Sequence, residues 1–383
     1  MDNYYTEYGG KRDKKSRSVL LLRLFDVLMT VVTAVVAVTM VVTYLVPYVN
    51  PARVWFFPVL GLAAPAIYVA TVVLMLYWII RWRWIHAGIL VLIVVVGLFK
   101  VSLFFSPELR RIYPGDGVSD RGSIKVMTYN VRSFYGPKGQ SSVRDVLQLI
   151  GDEDPDVVCI QEFNARLAEG TADYALLDEK YEKLVFGRTE APDSLYGAPM
   201  LILSKYHILH SGTVLTPHTS VWADVLMGED TVRIFSNHLR STAINAKDDD
   251  YLTNHRFLSD TASPTKIRSI VDRLRENSVL RAAQVDSISK VVAATRGKRI
   301  VCGDFNDTPI SYVYRTMARG LNDAFSECGQ GYSHTFRGFH NTLRIDYVLS
   351  SDGFETRSYD TSPVDFSDHH PVIVRLKKTT INN

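Results

Sequence analysis

The chain has 383 residues, of which 47% are hydrophobic and 22% charged, with a formal net charge of +3. That length holds one large domain or two ordinary ones, and three cysteines at these spacings make neither a disulfide framework nor a zinc site. The charge is split, with +7 on residues 1–111 and −4 on residues 112–383, so the larger part lacks the overall basic footprint of a protein that grips long nucleic acid.

Residues 1–18 are polar and basic and read as a disordered tail. Residues 19–105 read as a membrane domain. No charged side chain occurs in residues 27–52 or 54–80, and each run exceeds the roughly 20 apolar residues that cross a bilayer. A third run, Ile85–Phe105, contains only Lys100, close enough to its end to snorkel. Tyr77, Trp82 and Trp84 sit where interfacial aromatics are expected. Three transmembrane helices in the lipid bilayer follow. Basic residues near the spans number eight on the side of the N-terminus and three on the other. The positive-inside rule then places everything after the third span outside the cytoplasm, which in a bacterium means the periplasm.

Residues 106–122, with Pro107, Pro114, Gly115, Gly117 and Gly122, read as a linker to a domain at 123–383. Strand and helix patterns alternate there. Helical spacing over Ser141–Ile150 is stopped by Gly151–Pro155, and a hairpin is expected around Gly228-Glu229-Asp230. A helix is expected over Arg281–Thr295. Residues 240–280 are polar and irregular, a solvated loop or a lid. Cys159 and Cys302 fall inside apolar strands and read as small buried hydrophobes.

The strand-like runs end on polar residues. Ile124–Tyr129 ends on Asn130, Asp156–Gln161 on Glu162, and Val232–Asn237 on His238. Arg299–Cys302 leads into Gly303-Asp304-Phe305-Asn306-Asp307, which aims a carboxylate and a carboxamide the same way from one extended segment. Asp346 lies within Arg344–Leu349, and Ser367-Asp368-His369-His370-Pro371 precedes Val372–Val374. Singly, each is the sort of Asn or Asp that forms turns; together they make a set of hard ligands, acids and bases suited to phosphate chemistry.

The series Tyr129-Asn130-Val131, Gln161-Glu162, Leu203–Tyr206, Asn237-His238-Leu239, Gly303–Asn306, Arg344–Tyr347 and Ser367–Pro371 resembles the endonuclease/exonuclease/phosphatase superfamily, over roughly residues 123–377. The resemblance implies an α/β fold, a four-layer sandwich of two packed sheets. It implies a phosphoesterase dependent on Mg²⁺ or Mn²⁺, with Glu162, Asn130 and Asp368 as metal ligands. It further implies Asp304 as the base that activates water, Asn306 on a phosphoryl oxygen, and His369 on the phosphate with Asp346 behind it. His238 would contact phosphate or assist the leaving group. His370 would pack or cap, His207 would be structural, and His334 and His340 could reach substrate. The substrate is a phosphodiester or phosphomonoester. The alternatives are a nuclease, inside the cell if the topology is inverted, and a silent scaffold of the same fold. The net acidic domain does not favour nucleic acid as a partner.

Overall fold

A computed structural model describes residues 7–107, 122–187, 199–215, 219–242, 244, 246–254 and 263–379. Most of the expected linker, residues 108–121, lies outside them. The chain forms two compact units: one joins Met1–Leu45 to Ala63–Phe99, the other joins Val46–Leu62 to Lys100–Asn383.

The first unit is built from helix α1 (Glu7–Thr43), from α2 (Phe57–Ile80) beyond Leu62, and from α3 (Trp84–Val101) as far as Phe99. The basic segment expected to be disordered is helical from Glu7; its lysines and arginines are good helix formers joined to a long apolar helix. Leu74, Trp78, Ala87 and Leu90 form a small core. Trp78 Nε1 donates to Thr33 Oγ1 at 2.7 Å, and Thr30, Thr33, Thr39 and Thr43 each donate to the carbonyl four residues back. These hydroxyls and the indole N–H are thus satisfied without water, as an apolar solvent requires. Val31, Val35, Val38, Val69, Val73 and Leu92 stay exposed.

Leu20–Tyr48 and Phe57–Ile80 are long and apolar enough to cross a membrane, whereas the apolar part of the third helix, Trp84–Leu98, is shorter. Two of the three expected spans are thus long enough on their own, and the third helix, Trp84–Val101, has 18 residues. After it, in the second unit, Leu103 packs against the apolar core that holds Phe235, Val301 and Tyr347, and Phe105–Ser106 pairs with Gly331–Tyr332. The end of the third apolar run is therefore spent on the folded domain.

The second unit carries two six-stranded sheets. In one, the order is Phe354–Thr361, Val372–Lys378, Ser123–Asn130, Val157–Gln161, Met200–Ser204 and Glu182–Phe186. In the other it is Asn322–Asp323, Asp346–Ser350, Lys298–Asp304, Asp230–His238, Ser220–Met227 and Ile208–Leu215. Each sheet has one parallel pair, Ser123–Asn130 with Val157–Gln161 and Asp230–His238 with Lys298–Asp304. Helices Val143–Glu153 and Ala172–Lys180 cover the first sheet, and Ser263–Ala294 with Tyr312–Met317 covers the second, which completes four layers.

Strand parity fixes what faces what. Ile124 and Val126 enter the core between the sheets, while Met127 and Tyr129 face helices. Val157 and Cys159, Val232 and Ile234, and Ile300 and Cys302 also lie between the sheets, as does Val348. Continuing each alternation brings Asn130, Gln161, His238, Asp304 and Asp346 onto that same inner face at the strand ends.

Two elements are longer or more ordered than their patterns suggest. The helix expected from Arg281 begins at Ser263, with Ile270 and Leu274 buried on its early turns. Ala246–Thr253 is also helical, and Asp248 is buried, accepting from Arg273 Nη2 at 2.7 Å. Its acidic run is thus partly structural rather than a solvated loop.

Candidate active site

Asp304 ends its strand buried, 1% exposed. Its Oδ1 accepts from the Asn306 backbone N–H at 2.8 Å. Its Oδ2 accepts from Asn130 Nδ2 at 3.0 Å and Asn306 Nδ2 at 2.9 Å. The Nε2 atoms of His238 and His369 each lie 3.8 Å from the same oxygen. Burial pushes the carboxyl up to about 6, against the pull of His369, His238 and Asn130.

This placement depends on Gly303, whose φ is +123°. A Cβ there would run into the backbone of Asn237, the neighbour across the parallel pair. Asn306 and Glu162 both adopt left-handed backbone, φ 54° in each, which turns their side chains back toward the strand ends.

On the other side of Asp304, His369 Nδ1 contacts Asp346 Oδ2 at 2.9 Å. Burial alone would lower the His369 pKa, but Asp346 and then Asp304 outweigh it and raise it to about 10. The ring therefore carries a proton at neutral pH. Phe336 packs on it with ring centroids 5.1 Å apart. Arg344 is not the partner of Asp346. It pairs with Asp323, at 3.0 and 2.8 Å, and donates to the Leu103 carbonyl.

Glu162 lies opposite, its Oε1 3.2 Å from Asn130 Nδ2 and 3.5 Å from His238 Nε2. Asp368 faces Arg132 Nε at 3.4 Å and His369 Nε2 at 4.0 Å. Asn130, Glu162, Asp304, Asn306, Asp368 and His369 all line one cavity of about 120 Å³.

Two amides point differently from expectation. Asn130 Oδ1 accepts from the Arg132 backbone N–H at 3.0 Å, which turns its Nδ2 toward the carboxylates. A cation held by that oxygen would take its second lone pair, with the amide turned toward it. Asn306 Nδ2 is bonded to both Leu239 O and Asp304 Oδ2, so in this arrangement it orients Asp304, and holding a phosphoryl oxygen would require a rearrangement.

The remaining histidines stand apart. His370 contacts Asn341 and lies edge-on to His334, and His207 pairs with Glu182. His340 is exposed, and neither it nor His334 lines the cavity. Sequence reasoning missed Arg281 and Asp307, a buried pair at 3.2 Å that lines the cavity. Asp307 adjoins the Gly303–Asn306 motif and could have been suspected; Arg281, in a helix, carried no local signal. Gln161 was also passed over: its Nε2 bonds Thr128 Oγ1 and, across to the other sheet, Ser236 Oγ.

Asp304, Asp346 and His369 form a group whose ligand atoms lie within 4.8 Å of one another. The Asp346 Oδ1 atom is buried without a hydrogen-bond partner. The donors around the cavity are mainly carboxylate oxygens, with no cysteine, which fits a hard divalent cation better than zinc.

Residues 127–369 match the endonuclease/exonuclease/phosphatase family, and residues 26–104 match a domain of unknown function, DUF8431. A search of curated proteins returns no match. Among solved structures, the human Nocturnin catalytic domain is 18% identical, covers 67% of this chain and 95% of its own, and gives a TM-score of 0.45. An endonuclease/exonuclease/phosphatase family protein from Bacteroides thetaiotaomicron is 17% identical over 66% of this chain and 94% of its own, TM-score 0.47. TDP2 from Caenorhabditis elegans is 15% identical over 67% of this chain and 74% of its own, TM-score 0.43. The family comprises hydrolases that act on phosphoester bonds with a divalent metal. With the match spanning most of the two-sheet unit and both ends of its site, the chain belongs to the endonuclease/exonuclease/phosphatase family.

Proposed function

We propose that the protein is a membrane-anchored, divalent-metal-dependent phosphoesterase that hydrolyses its substrate by direct water attack. The observation that carries this reading is Asp304: a buried carboxylate with a pKa near 6, held in a cavity between two histidines. A carboxylate near that value is ionised at neutral pH yet basic enough to take a proton from water.

In the reaction, Asp304 accepts a proton as the water oxygen bonds to phosphorus. Asn130 and Asn306 fix the orientation of its lone pairs through the bonds described above. His369, cationic and backed by Asp346, offsets charge that builds on the phosphoryl oxygens. The bond from phosphorus to the ester oxygen breaks, and His238, beside Glu162 and Asp304, would give a proton to that oxygen. Glu162, with Asp368 and a turned Asn130, would hold Mg²⁺ or Mn²⁺, which supplies Lewis-acid neutralisation of phosphoryl charge when bound.

The membrane reading rests on the two long apolar helices. Two further contacts agree with an odd number of crossings, the shorter third helix included. Asp26, near the start of the first apolar run, accepts from Arg81 at 2.8 Å and lies 3.7 Å from Arg83. Val46–Leu62, at the end of that run, belongs to the catalytic unit. The basic N-terminal residues support catalysis outside the cytoplasm.

The test of activity is the full chain assayed against 4-nitrophenyl phosphoesters, a phospholipid and single-stranded nucleic acid, with Mg²⁺ or Mn²⁺ and then with EDTA. Metal-dependent release from at least one class is expected; no release from any would leave the silent-scaffold alternative standing. For topology, protease added to intact cells should degrade the catalytic domain, and protection until lysis would overturn the outward orientation.

A further inference from the structure

The segment between the first two apolar helices is part of the catalytic unit, and it is tied down at several points. Asn50 Nδ2 donates to Asp286 Oδ2 at 3.2 Å, and the other oxygen of Asp286 is held by Tyr312 Oη at 2.6 Å. Arg315 stacks its guanidinium 4.2 Å from the Tyr48 ring centroid. Thr308 Oγ1 donates to the Gly61 carbonyl at 3.3 Å. Thr308 follows the Gly303–Asp307 motif directly, so this last contact reaches the edge of the site itself.

Pro58 and Leu62 line the active-site cavity. They lie four residues apart on α2 and therefore share one face of it. Ile244, Leu274, Leu343 and Ile345 line the same cavity, so its lining joins apolar side chains to carboxylates, amides and His369. Gly61, on the same turn, has Thr308 Oγ1 3.8 Å and the Ile310 carbonyl 4.0 Å from where its Cβ would lie, so the segment lies close to the chain that follows the motif.

We propose that Val46–Leu62 is a wall of the active site, and that Pro58 and Leu62 select a phosphoester carrying an apolar group. The proposal rests on the phosphoesterase reading above and names the chemistry of its substrate.

Three observations favour an apolar substrate group over a polynucleotide. Among the described residues that line the cavity, the only Arg or Lys is Arg281. Its guanidinium is committed to Asp307 at 3.2 Å and to the Arg240 carbonyl at 2.6 Å, and a strand of phosphates needs cations along its path. Of the two lining aromatics, Phe336 and Phe339, the one nearest the reacting groups, Phe336, already packs on His369. The enclosed volume, about 120 Å³, is below the roughly 300–1,000 Å³ of ordinary ligand pockets. It suits the reacting phosphoryl group, with the remainder of the substrate leaving along the apolar lining. Beyond Leu62 the sequence of α2 stays uncharged through Ile80. The wall also gives part of the matched domain of unknown function a role, since Val46–Leu62 lies within residues 26–104.

The test uses the full chain in nanodiscs, with empty nanodiscs as the blank. Binding of ethyl phosphate and hexyl phosphate is measured by calorimetry, and turnover of ethyl and hexyl 4-nitrophenyl phosphate is followed with Mg²⁺. Hexyl phosphate should bind at least about tenfold tighter than ethyl phosphate, the effect of a few buried methylenes. Leu62→Asn should bring the hexyl-to-ethyl ratio toward one, and Leu62→Met, which keeps an apolar wall, should retain it. A native ratio below about two overturns the proposal, whatever the variants do. So does a Leu62→Asn chain, folded by circular dichroism, that keeps the native ratio. Preferential hexyl phosphate binding without turnover of any ester would leave this proposal standing and overturn the phosphoesterase reading. Equal binding and equal turnover of both esters would do the reverse.

Discussion

Replacing Asp346 by Asn changes little in shape and removes the charge that His369 leans on. The imidazole lies 2.9 Å from Asp346 Oδ2, and its pKa is raised from 6.5 to about 10, with Asp346 the foremost cause and Asp304 next, against the opposing effect of burial. An opposite charge at such a distance accounts for about 1–3 pKa units, so Asp346→Asn should bring the His369 pKa down toward 8 or below. The assay is kcat/KM against pH with a 4-nitrophenyl phosphoester and saturating Mg²⁺. The native profile should rise near pH 6, as Asp304 ionises, and fall near pH 10, as His369 loses its proton. In the variant the alkaline limb should move down by about two units, and the plateau should drop about a hundredfold or more as the ring loses its fixed tautomer. Stability gives an independent readout. Because the folded-state pKa of His369 is raised, its contribution is complete below pH 6.5 and is lost as pH rises through about 10. The Tm difference between native and variant chains, measured with a chelator present, should therefore be largest in mild acid and fade toward pH 10. An alkaline limb that stays in place, with a Tm difference independent of pH, would refute the coupling.

The other predictions concern the carboxylate opposite, the glycine that seats the base, and the buried arginine. Glu162→Gln should raise the Mg²⁺ or Mn²⁺ concentration needed for half-maximal activity at least about tenfold; an unchanged metal titration would remove Glu162 from the metal site. Gly303→Ala forces a Cβ into the Asn237 backbone at φ +123°. It should cost about 3 kcal/mol or more and lower Tm by at least about 6 °C, read by scanning fluorimetry, and a Tm within a degree or two of native would contradict the geometry. Arg344→Met leaves Asp323 buried without its cation and should cost about 3–5 kcal/mol. Adding Asp323→Leu should recover part of that loss, and strictly additive losses would show that the pair is not coupled.

Much of the site was legible because β-strands alternate. Once Val126, Cys159, Ile234 and Cys302 are assigned to one core, the polar residues that continue those alternations must meet at one end. Asn130, His238, Asp304 and Asp346 follow from that rule alone. What the pattern could not give was direction within the site. Whether Asn130 and Asn306 spend their amides on a ligand or on Asp304 depends on backbone donors such as Arg132 N–H and acceptors such as Leu239 O, and those positions are set by left-handed turns invisible to hydropathy. Arg344, two residues from Asp346, carried no signal of its partner; in the fold it reaches Asp323 and Leu103. The end of the third apolar run, Leu103–Phe105, has the same origin, since an apolar run does not say whether its last residues meet lipid or a protein core. The attachment of Val46–Leu62 was the least legible feature, because Asn50 and Asp286 are 236 residues apart and neither stands in a motif.

The central claim is that Asp304 activates water for attack on a phosphoester, and its most direct test is the effect of Asp304→Ala on kcat in the full chain at pH 8. The native chain with Mg²⁺ or Mn²⁺ should release phosphoester product and lose that activity in EDTA, while the variant should bind substrate and lose kcat by at least about a thousandfold. Turnover that survives Asp304→Ala within a factor of a few would contradict the account.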